Sequence, residues 1–349
     1  MLTPPPPPPV ASPARKGGFP WLAALMFLLL MGSLLVNLVL LVAVAGEDAG
    51  SGLGGSTRYQ ETLVDGESKA DDKIVMLSVK GVIMDGVDGT ARPGTFDSIR
   101  SQLRKIKKDE NVKAILLSVN SPGGGVTESD RIYNELKLFR KETGLPIVAL
   151  FGDVSASGGY YISMASDHII AHPTTVTGSI GVISQFFQVS ELMGKLGVDV
   201  ETIKSLRSDS SESFKDIGSP YRPMTPAERK LLQGLISEMW ERFVAVVAEG
   251  RKGKIPEQKV RELADGRVFT GPQALEVKLV DQIGYQEDAF AKCRELGNAP
   301  EAKVVRYKKE PSLADLFSMS ARPAPPSLEE MLREVTFDSP RFLYLWTGR

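Results

Sequence analysis

The stretch "VKAILLSVNSPGGGVTESDRIYNELKLFRKETGLPIVALFGDVSASGGYYI", residues 112–162, decides the fold. It opens with an apolar run, passes through a glycine cluster into a segment with helical periodicity, and returns to an apolar run. Strand and helix periods that alternate in this way are typical of a parallel sheet covered by helices. We therefore predict an α/β domain of repeated strand–helix units.

The same alternation extends on both sides of this stretch. Predicted strands cover residues 73–83 and 198–206, and predicted helices cover residues 95–109 and 190–197. A longer helix begins at Thr225, where Pro226 occupies the first helical position and Glu228 is placed to complete a capping box. We expect one folded domain over residues 73–310.

The N-terminal segment has a different composition. Residues 1–19 are proline-rich, which predicts a disordered cytoplasmic tail. Residues 20–45 carry no charge, and about 20 apolar residues suffice for a helix to cross a bilayer. Arg15 and Lys16 precede this run, so the positive-inside rule places the N-terminus in the cytoplasm. We expect a single-pass transmembrane anchor with the folded domain outside; cleavage as a signal peptide is the alternative.

Two further segments flank the predicted domain. Residues 46–72 begin with a glycine- and serine-rich stretch, which predicts a flexible linker. Residues 311–349 form a proline-rich C-terminal extension that ends in "RFLYLWTGR". Because an exposed aromatic run is prone to association, we expect this end of the chain to dock on a surface.

Composition narrows the classes of function. Of the 349 residues, 42% are hydrophobic and 24% are charged, as in ordinary globular proteins. The net charge of −1 does not fit a nucleic-acid-binding protein. Cys293 is the only cysteine, and His168 and His172 are the only histidines. We therefore expect neither an intrachain disulfide nor a metal site.

Two serines in "DVSASGGYYI", residues 153–162, are candidate nucleophiles. A serine attacks a carbonyl only with a base in hydrogen-bond reach and with donors for the oxyanion. Ser157 is followed by Gly158 and by a predicted helix, so its surroundings loosely resemble the nucleophile elbow of hydrolases. Ser155 has no glycine two residues later, and we prefer Ser157.

A second glycine cluster, "NSPGGG" at residues 120–125, ends the preceding predicted strand. Sites in open α/β sheets form where strands end and helices begin, so the two glycine loops are expected to face each other. Gly124 and Gly158 would then donate two backbone amides to one oxyanion. The alternatives are a plain turn or a phosphate cradle, and the cluster lacks the lysine and hydroxyl of a P-loop.

The residues alone do not select the base. A Ser–His–Asp triad would need one of the two histidines, and His168 lies only eleven positions after Ser157. A lysine serves when apolar burial lowers its pKa toward neutral, as in Ser–Lys hydrolases. Lys204 and Lys215 follow the glycine-rich segment and lie away from charged helical faces, so both are candidates.

Seven motifs occur in a characteristic order: "NSPGGG", "ASGGYYI", "TVTGSIGVI", "ETIKS", "KDIGSP", "MTPAERK" and "DGRVFTGPQALEVKLVDQIG". Over residues 73–284 the chain resembles the signal peptide peptidase A (protease IV) family of membrane-anchored serine peptidases, in its short bacterial form. The resemblance implies a ClpP/crotonase-like fold of repeated strand–strand–helix units and a homo-oligomeric ring. It further implies a cofactor-free Ser–Lys dyad that cleaves remnant signal peptides and other hydrophobic peptides at the outer face of the cell membrane.

The same resemblance assigns roles to individual residues. The family's serine maps onto Ser157 and the lysine of its "KD…SP" segment onto Lys215, the general base. Long-form members use a lysine that maps onto Lys204, the alternative base. The insertion "LRSDSSES" between the two lysines is a departure from the family pattern.

Supporting roles fall on Ser179, as a hydrogen-bond partner of the lysine amine, and on Gly124 and Gly158, as the oxyanion hole. Two rival interpretations stand beside the peptidase. One is a noncatalytic, membrane-tethered scaffold ring in which Ser157 only begins a helix. The other is an acyl-CoA enzyme of the crotonase type, against which an external domain argues because CoA substrates are cytoplasmic.

Overall fold

The computed structural model describes residues 20–48, 59–84, 94–205, 213–310 and 343–346. The chain divides into two compact units, Met1–Arg58 and Tyr59–Arg349. In the first unit, helix α1 spans Pro20–Asp48, and the side chains described within it, Trp21 and residues 24–38, are exposed. The predicted tail, residues 1–19, lies outside the described residues. A search of the described part of the chain found no helix long and apolar enough to cross a membrane.

The second unit is built on a mixed sheet. From one edge to the other its strands are β1 (Tyr59–Asp65), β10 (Lys303–Lys309), β2 (Lys73–Lys80), β3 (Val112–Ser121), β5 (Ile147–Ala156), β6 (His168–Ala171) and β9 (Gln282–Ile283). The edge pair β1–β10 is antiparallel, and the other neighbours in this order are parallel. Strand β7 (Val176–Gly178) continues alongside the end of β5 and pairs with β8 (Val268–Thr270). The central strands thus point their carboxyl ends to one edge of the sheet.

Helices cover both faces of this sheet. The described helices of this unit are α2 (Thr95–Ile106), α3 (Val126–Thr143), α4 (Gly158–Ser163), α5 (Ser190–Lys195), α6 (Pro226–Gly250), α7 (Glu257–Leu263), α8 (Gly271–Glu276) and α9 (Gln286–Leu296), of which α5 has no buried residue and does not cover the sheet. Successive residues of β3 enter different apolar clusters, with Ile115 and Leu117 in the larger one and Leu116 with Phe290 of α9 in the smaller one. Burial on both faces explains why the central strands are continuous apolar runs. The predicted α/β class is confirmed.

The prediction of a flexible linker over residues 46–72 is wrong for the second half of that range. Residues 59–65 form β1, in which Leu63 pairs with Val305 of β10 and the ring of Tyr59 lies 5.9 Å from that of Tyr307. Strand β1 is stabilised by a neighbour far along the chain, so its local composition gave little sign of it. The sheet unit therefore begins at Tyr59, ahead of the predicted start at Lys73.

The strand predicted over residues 198–206 is also absent from its described part, residues 198–205. Val198, Val200 and Ile203 are exposed, and Ile203 is 90% accessible. Their alternating pattern fits a strand, but a strand forms only where its backbone groups find a partner. The segment instead belongs to a stretch between β7 and α6, described over residues 185–205 and 213–225, which we call the exposed arm.

The capping box at the start of α6 is confirmed. The backbone N–H of Glu228 donates to Thr225 Oγ1 at 3.2 Å, and the backbone N–H of Thr225 donates to Glu228 Oε2 at 2.8 Å. Arg222 Nη1 donates to the same buried carboxylate at 2.9 Å. The Arg222 guanidinium, followed by the Thr225 backbone, lowers the pKa of Glu228 to about 2, against the opposing effect of burial.

We expect Glu228→Gln to lower the free energy of unfolding at pH 7 by about 1–3 kcal/mol, because hydrogen bonds to a charged group are lost. The folded-state pKa of about 2 lies below the ordinary value of 4.5. The stabilisation is therefore complete above pH 4.5 and disappears as the pH falls toward 2. Chemical denaturation at pH 7 and pH 3 should show a smaller difference between wild type and variant at pH 3; an equal difference contradicts this assignment.

Candidate active site

Ser157 occupies a tight turn between β5 and α4. Its φ of 53° and ψ of −117° lie in a region that side chains rarely adopt. The turn is held by two hydrogen bonds of 2.8 Å, from Ser157 N–H to the Gly178 carbonyl and from Tyr161 N–H to the Ser157 carbonyl. The predicted order of strand, turn, serine and helix is confirmed, and strained turns of this kind project a nucleophile from the end of a sheet.

The two serines of the turn have different surroundings. The Ser155 hydroxyl donates to the Val119 carbonyl at 2.6 Å, which ties β5 to β3. Ser157 is only 1% exposed, and its hydroxyl has no hydrogen-bond partner among the described residues. A buried hydroxyl without a partner is uncommon, and a catalytic role is one of the explanations for it. The structure thus gives Ser155 a structural role and leaves the hydroxyl of Ser157 free.

The second glycine loop forms a short strand, β4 (Gly123–Gly125). Ile83 holds one of its edges, since the Ile83 N–H donates to the Gly123 carbonyl at 2.8 Å and the Gly125 N–H donates to the Ile83 carbonyl at 2.9 Å. Backbone groups of successive residues in a strand point to opposite edges. The N–H and C=O of Gly124 therefore point away from Ile83, toward the other edge of β4.

The two glycine loops lie against each other, as the sequence predicted. A Cβ atom at Gly158 would lie 3.1 Å from the amide nitrogen of Gly124 and 2.6 Å from Ser129 Oγ. Gly158 is the first residue of α4, and first-turn N–H groups have no partner within their helix. The amide nitrogen of Gly124 thus lies close to Gly158, the residue after Ser157, and paired backbone amides of this kind form the oxyanion holes that stabilise a tetrahedral intermediate.

A cavity of about 360 Å³ extends from Ser179, beyond the end of β7. Ser179 also has a positive φ, 50°, and its backbone N–H donates to the Arg267 carbonyl at 2.8 Å. Apolar side chains of Val182, Ile236 and Trp240 line the cavity farther out. The space suits an apolar side chain of an extended peptide.

The candidate bases lie on the exposed arm. Lys204 Nζ is 2.8 Å from Asp216 Oδ1 and donates to the Ser213 carbonyl at 3.2 Å. Asp216 also accepts from Arg222 Nε at 2.7 Å, and Arg222 followed by Lys204 holds the pKa of this carboxyl well below its usual range. Lys215 begins the adjacent turn and is exposed. Within the described residues of one chain, neither lysine is hydrogen-bonded to Ser157.

The end of the chain lies on β4. Strand β11 (Leu343–Leu345) is antiparallel to it, with Leu343 opposite Gly125, Tyr344 opposite Gly124 and Leu345 opposite Gly123. The sequence predicted that "RFLYLWTGR" docks, but it did not predict the docking surface. The short continuous apolar run at residues 342–346 was the available signal for a strand.

A cluster of polar side chains fixes α4 against its neighbours. The Tyr161 hydroxyl donates to Asp130 Oδ1 at 2.5 Å, and Arg242 Nη2 donates to the same oxygen at 2.8 Å. Asp130 belongs to α3, which follows β4, and Arg242 belongs to α6. The ring of Tyr133 meets that of fully buried Tyr161 edge-on at 5.6 Å. The cluster therefore links the helices that follow the two glycine loops.

Comparison with known proteins identifies the family. A sequence profile of peptidase family S49 matches residues 139–299, and one of Clp protease matches residues 67–177. A putative signal peptide peptidase SppA of Enterococcus faecium is 42% identical over 260 residues, which are 74% of this chain and 72% of that protein. The chain belongs to peptidase family S49.

Other relatives of this S49 chain are longer. Protease 4 of Salmonella typhi is 36% identical over 243 residues, 70% of this chain and 38% of that protein. The chloroplastic serine protease SPPA of Arabidopsis thaliana is 32% identical over 254 residues, 71% of this chain and 36% of that protein. The chain is a serine peptidase with a mixed α/β fold. The S49 match spans Ser157, Lys204 and Lys215, whereas Gly124 lies within the Clp protease match.

We expect Tyr161→Phe to slow covalent labelling of this S49 peptidase by a fluorophosphonate about tenfold, because misplaced reacting groups lower the rate of attack. The ring and its packing remain, so the affinity for the reagent should hold. Saturation kinetics of labelling separate the two quantities.

Tyr307→Phe is the matched control, since that buried hydroxyl has no partner among the described residues and lies in β10. Equal labelling rates for wild type and Tyr161→Phe would show that the Tyr161 hydroxyl does not position the site.

Proposed function

We propose that the chain is a membrane-bound endopeptidase that cleaves remnant signal peptides and other hydrophobic peptides with a Ser–Lys dyad. Ser157 is the nucleophile and Lys215 the general base. One observation carries the proposal: the Ser157 hydroxyl is buried and has no partner among the described residues, and the next residue, Gly158, packs on the backbone of Gly124.

The geometry supports acyl transfer in two steps. Ser157 Oγ attacks the scissile carbonyl and its proton passes to the amine of Lys215, while the amides of Gly124 and Gly158 stabilise the oxyanion. The lysine then returns the proton to the leaving amine, which gives an acyl-enzyme. Water, deprotonated by the same lysine, releases the second product. Ser179 lies at the near end of the cavity and orients the lysine amine.

The base reaches its position through assembly into a homo-oligomeric ring. A lysine is neutral near pH 7 only when apolar surroundings exclude water, and Lys215 is exposed in one chain. The arm that carries it also exposes Phe187, Leu192 and Leu196. An exposed apolar patch of this kind marks a surface for another protein. We propose that a neighbouring copy covers it and places Lys215 beside the neighbour's Ser157.

Helix α1 anchors this ring in the cell membrane, with the N-terminus in the cytoplasm and the peptidase unit at the outer face. The proposal is supported by the uncharged run of residues 20–45 and by the exposure of its leucines, among them Leu28, Leu29 and Leu35. Exposed leucines along a helix require an apolar environment, which lipid supplies. Hydrophobic peptide substrates would be released in the same environment.

The nucleophile is tested by a pair of serine variants in the detergent-solubilised full chain. We expect Ser157→Ala to abolish hydrolysis of a peptide ester and labelling by a fluorophosphonate while the oligomer stays intact by light scattering. Ser155→Ala should remain active and lose about 1 kcal/mol of stability with the Val119 hydrogen bond. Full activity of Ser157→Ala would rule out the proposed nucleophile, and a noncatalytic scaffold would show neither hydrolysis nor labelling in the wild type.

The base is tested in the same way with two lysine variants. Since general-base catalysis contributes about 10²–10⁴-fold, we expect Lys215→Ala to lose activity by that factor. Lys204→Ala should be impaired only modestly, through loss of its contact with Asp216. The reverse pattern would assign the base to Lys204. Co-assembled Ser157→Ala and Lys215→Ala subunits should regain activity if the base comes from a neighbouring copy.

A further inference from the structure

We propose that Asn120 and Thr175 are positioning residues that hold a bulge in β5, and that this bulge sets where the Ser157 turn meets the loop of β4. The inference rests on the proposed peptidase function, because it concerns the placement of the same nucleophile. Both side chains contact the backbone of residues 152–154, so they act on the reaction through the position of Ser157.

Strand β5 has two extra residues opposite β3, shortly before the candidate nucleophile. Val119 of β3 pairs with Phe151 of β5. Two positions later on β3, Ser121 pairs with Ser155, which lies four positions later on β5. The register therefore shifts by two residues, and the extra length of β5 bulges out at residues 152–154. Bulges are common next to active sites, where they redirect a strand.

The bulge brings the Ser157 turn back to the loop of β4. With a regular register, Ser121 would stand opposite Asp153, and the turn would lie two residues farther along. Each residue of a strand advances the chain by about 3.3 Å, so the displacement would be about 6.6 Å. A Cβ atom at Gly158 would lie only 3.1 Å from the Cα atom of Gly123, and a shift of that size would remove this contact. The register of β5 on β3 therefore determines whether the turn and the loop meet.

Asn120, near the end of β3, holds the bulge from one side. Its Oδ1 accepts the Val154 N–H at 3.1 Å, and its Nδ2 donates to Asp153 Oδ2 at 3.2 Å. A Cβ atom at Gly152 would lie 3.0 Å from that of Asn120, so the side chain packs on the first residue of the bulge. A bulge interrupts the ladder between two strands. The amide of Asn120 takes the place of the missing ladder partner.

Thr175, directly before β7, holds the bulge from the other side. Strand β5 pairs with β6 as far as Phe151 and with β7 from Val154, so the bulge faces the gap between these two neighbours. The buried Thr175 hydroxyl lies in this gap, where it donates to the Gly152 carbonyl at 2.7 Å and accepts the His172 N–H at 3.0 Å. Since buried backbone groups without a partner are costly, this hydroxyl stabilises the bulged course of β5.

Thr175 is tested in the full chain in detergent by saturation kinetics of fluorophosphonate labelling. Thr175→Val keeps the shape of the side chain and removes its hydroxyl. We expect the maximal labelling rate to fall about a hundredfold while the affinity for the reagent holds, since a displacement of about 1 Å at a reacting group has an effect of this size. Thr175→Ser retains the hydroxyl and should label at nearly the wild-type rate. A wild-type maximal rate in Thr175→Val overturns the proposal.

Thr143→Val is the matched control. Thr143 ends α3 and precedes β5, so it lies toward the other end of the same strand. Its hydroxyl likewise donates to a backbone carbonyl, that of Phe139 at 2.9 Å, and accepts a backbone N–H, that of Leu145 at 3.3 Å. The maximal labelling rate of this variant should equal that of the wild type. A fall as large as that of Thr175→Val would mean that any lost hydroxyl of this kind slows labelling, and it would overturn the proposal.

Asn120 is tested by exchanging its side-chain chemistry with that of Asp153. Asn120→Asp sets two carboxylates against each other where an amide now donates to a carboxylate. We expect the maximal labelling rate to fall about tenfold. Adding Asp153→Asn to the same chain restores a carboxylate–amide pair and leaves an acceptor for the Val154 N–H, so the rate should return toward that of the wild type. A double variant no faster than Asn120→Asp overturns the role of Asn120.

Hydrogen exchange separates this inference from the proposed function, because it requires no reaction. The Val154 amide should exchange faster in Asn120→Ala, which removes its acceptor. The Ser157 amide, which donates to the Gly178 carbonyl, should exchange faster in Asn120→Ala and in Thr175→Val. Faster exchange at Ser157 in these variants, with no labelling of the wild type, keeps the positioning of the turn and overturns the function. Labelling of the wild type, with unchanged rates and exchange in every variant, keeps the function and overturns the inference.

Discussion

A Cβ atom at Gly124 would lie 1.9 Å from the Ile83 carbonyl oxygen, and one at Gly158 would lie 3.1 Å from the Gly124 amide nitrogen. Glycine at position 124 lets the loop after β3 pack on Ile83, and glycine at position 158 lets the turn after β5 approach that loop. The two strands are parallel neighbours, so their carboxyl ends meet at one edge of the sheet. This close approach brings the backbone of the first glycine loop against the turn that carries Ser157, and β11 pairs with the same loop.

The same turn stores strain that the core offsets. A residue held at the backbone angles of Ser157 costs about 1–3 kcal/mol. Tyr160 and Tyr161, the third and fourth residues of α4, are fully buried, and the Tyr160 hydroxyl donates to the Leu279 carbonyl at 2.8 Å. Burial of one large side chain contributes about as much as the strain costs. The burial of Tyr160 and Tyr161 therefore holds the turn that orients Ser157. Neither aromatic ring takes part in the reaction.

Sequence patterns predicted what depends on local physics. Apolar runs at residues 112–120 and 145–152 identified buried strands because both faces of the sheet are covered, and Thr225 with Glu228 identified the start of α6 because the capping box is local. Strand β1 and strand β11 were not predicted, since each is stabilised by a partner far along the chain. The strand prediction for residues 198–206 was wrong for the opposite reason. The sequence there has a strand pattern, but the segment has no partner strand among the described residues. The choice between Lys204 and Lys215 is not decided within one chain either, because neither lysine is hydrogen-bonded to Ser157 among the described residues.

A site built from backbone groups has little selectivity for the sequence of the chain that it binds. Side-chain recognition selects a sequence, but the N–H and C=O of Gly124 pair with any extended chain that reaches them. Ile83 pairs with one edge of β4 and β11 pairs with the other, and an edge left open would recruit strands indiscriminately. Covering that edge with a short apolar segment of the same chain limits the problem without removing the site.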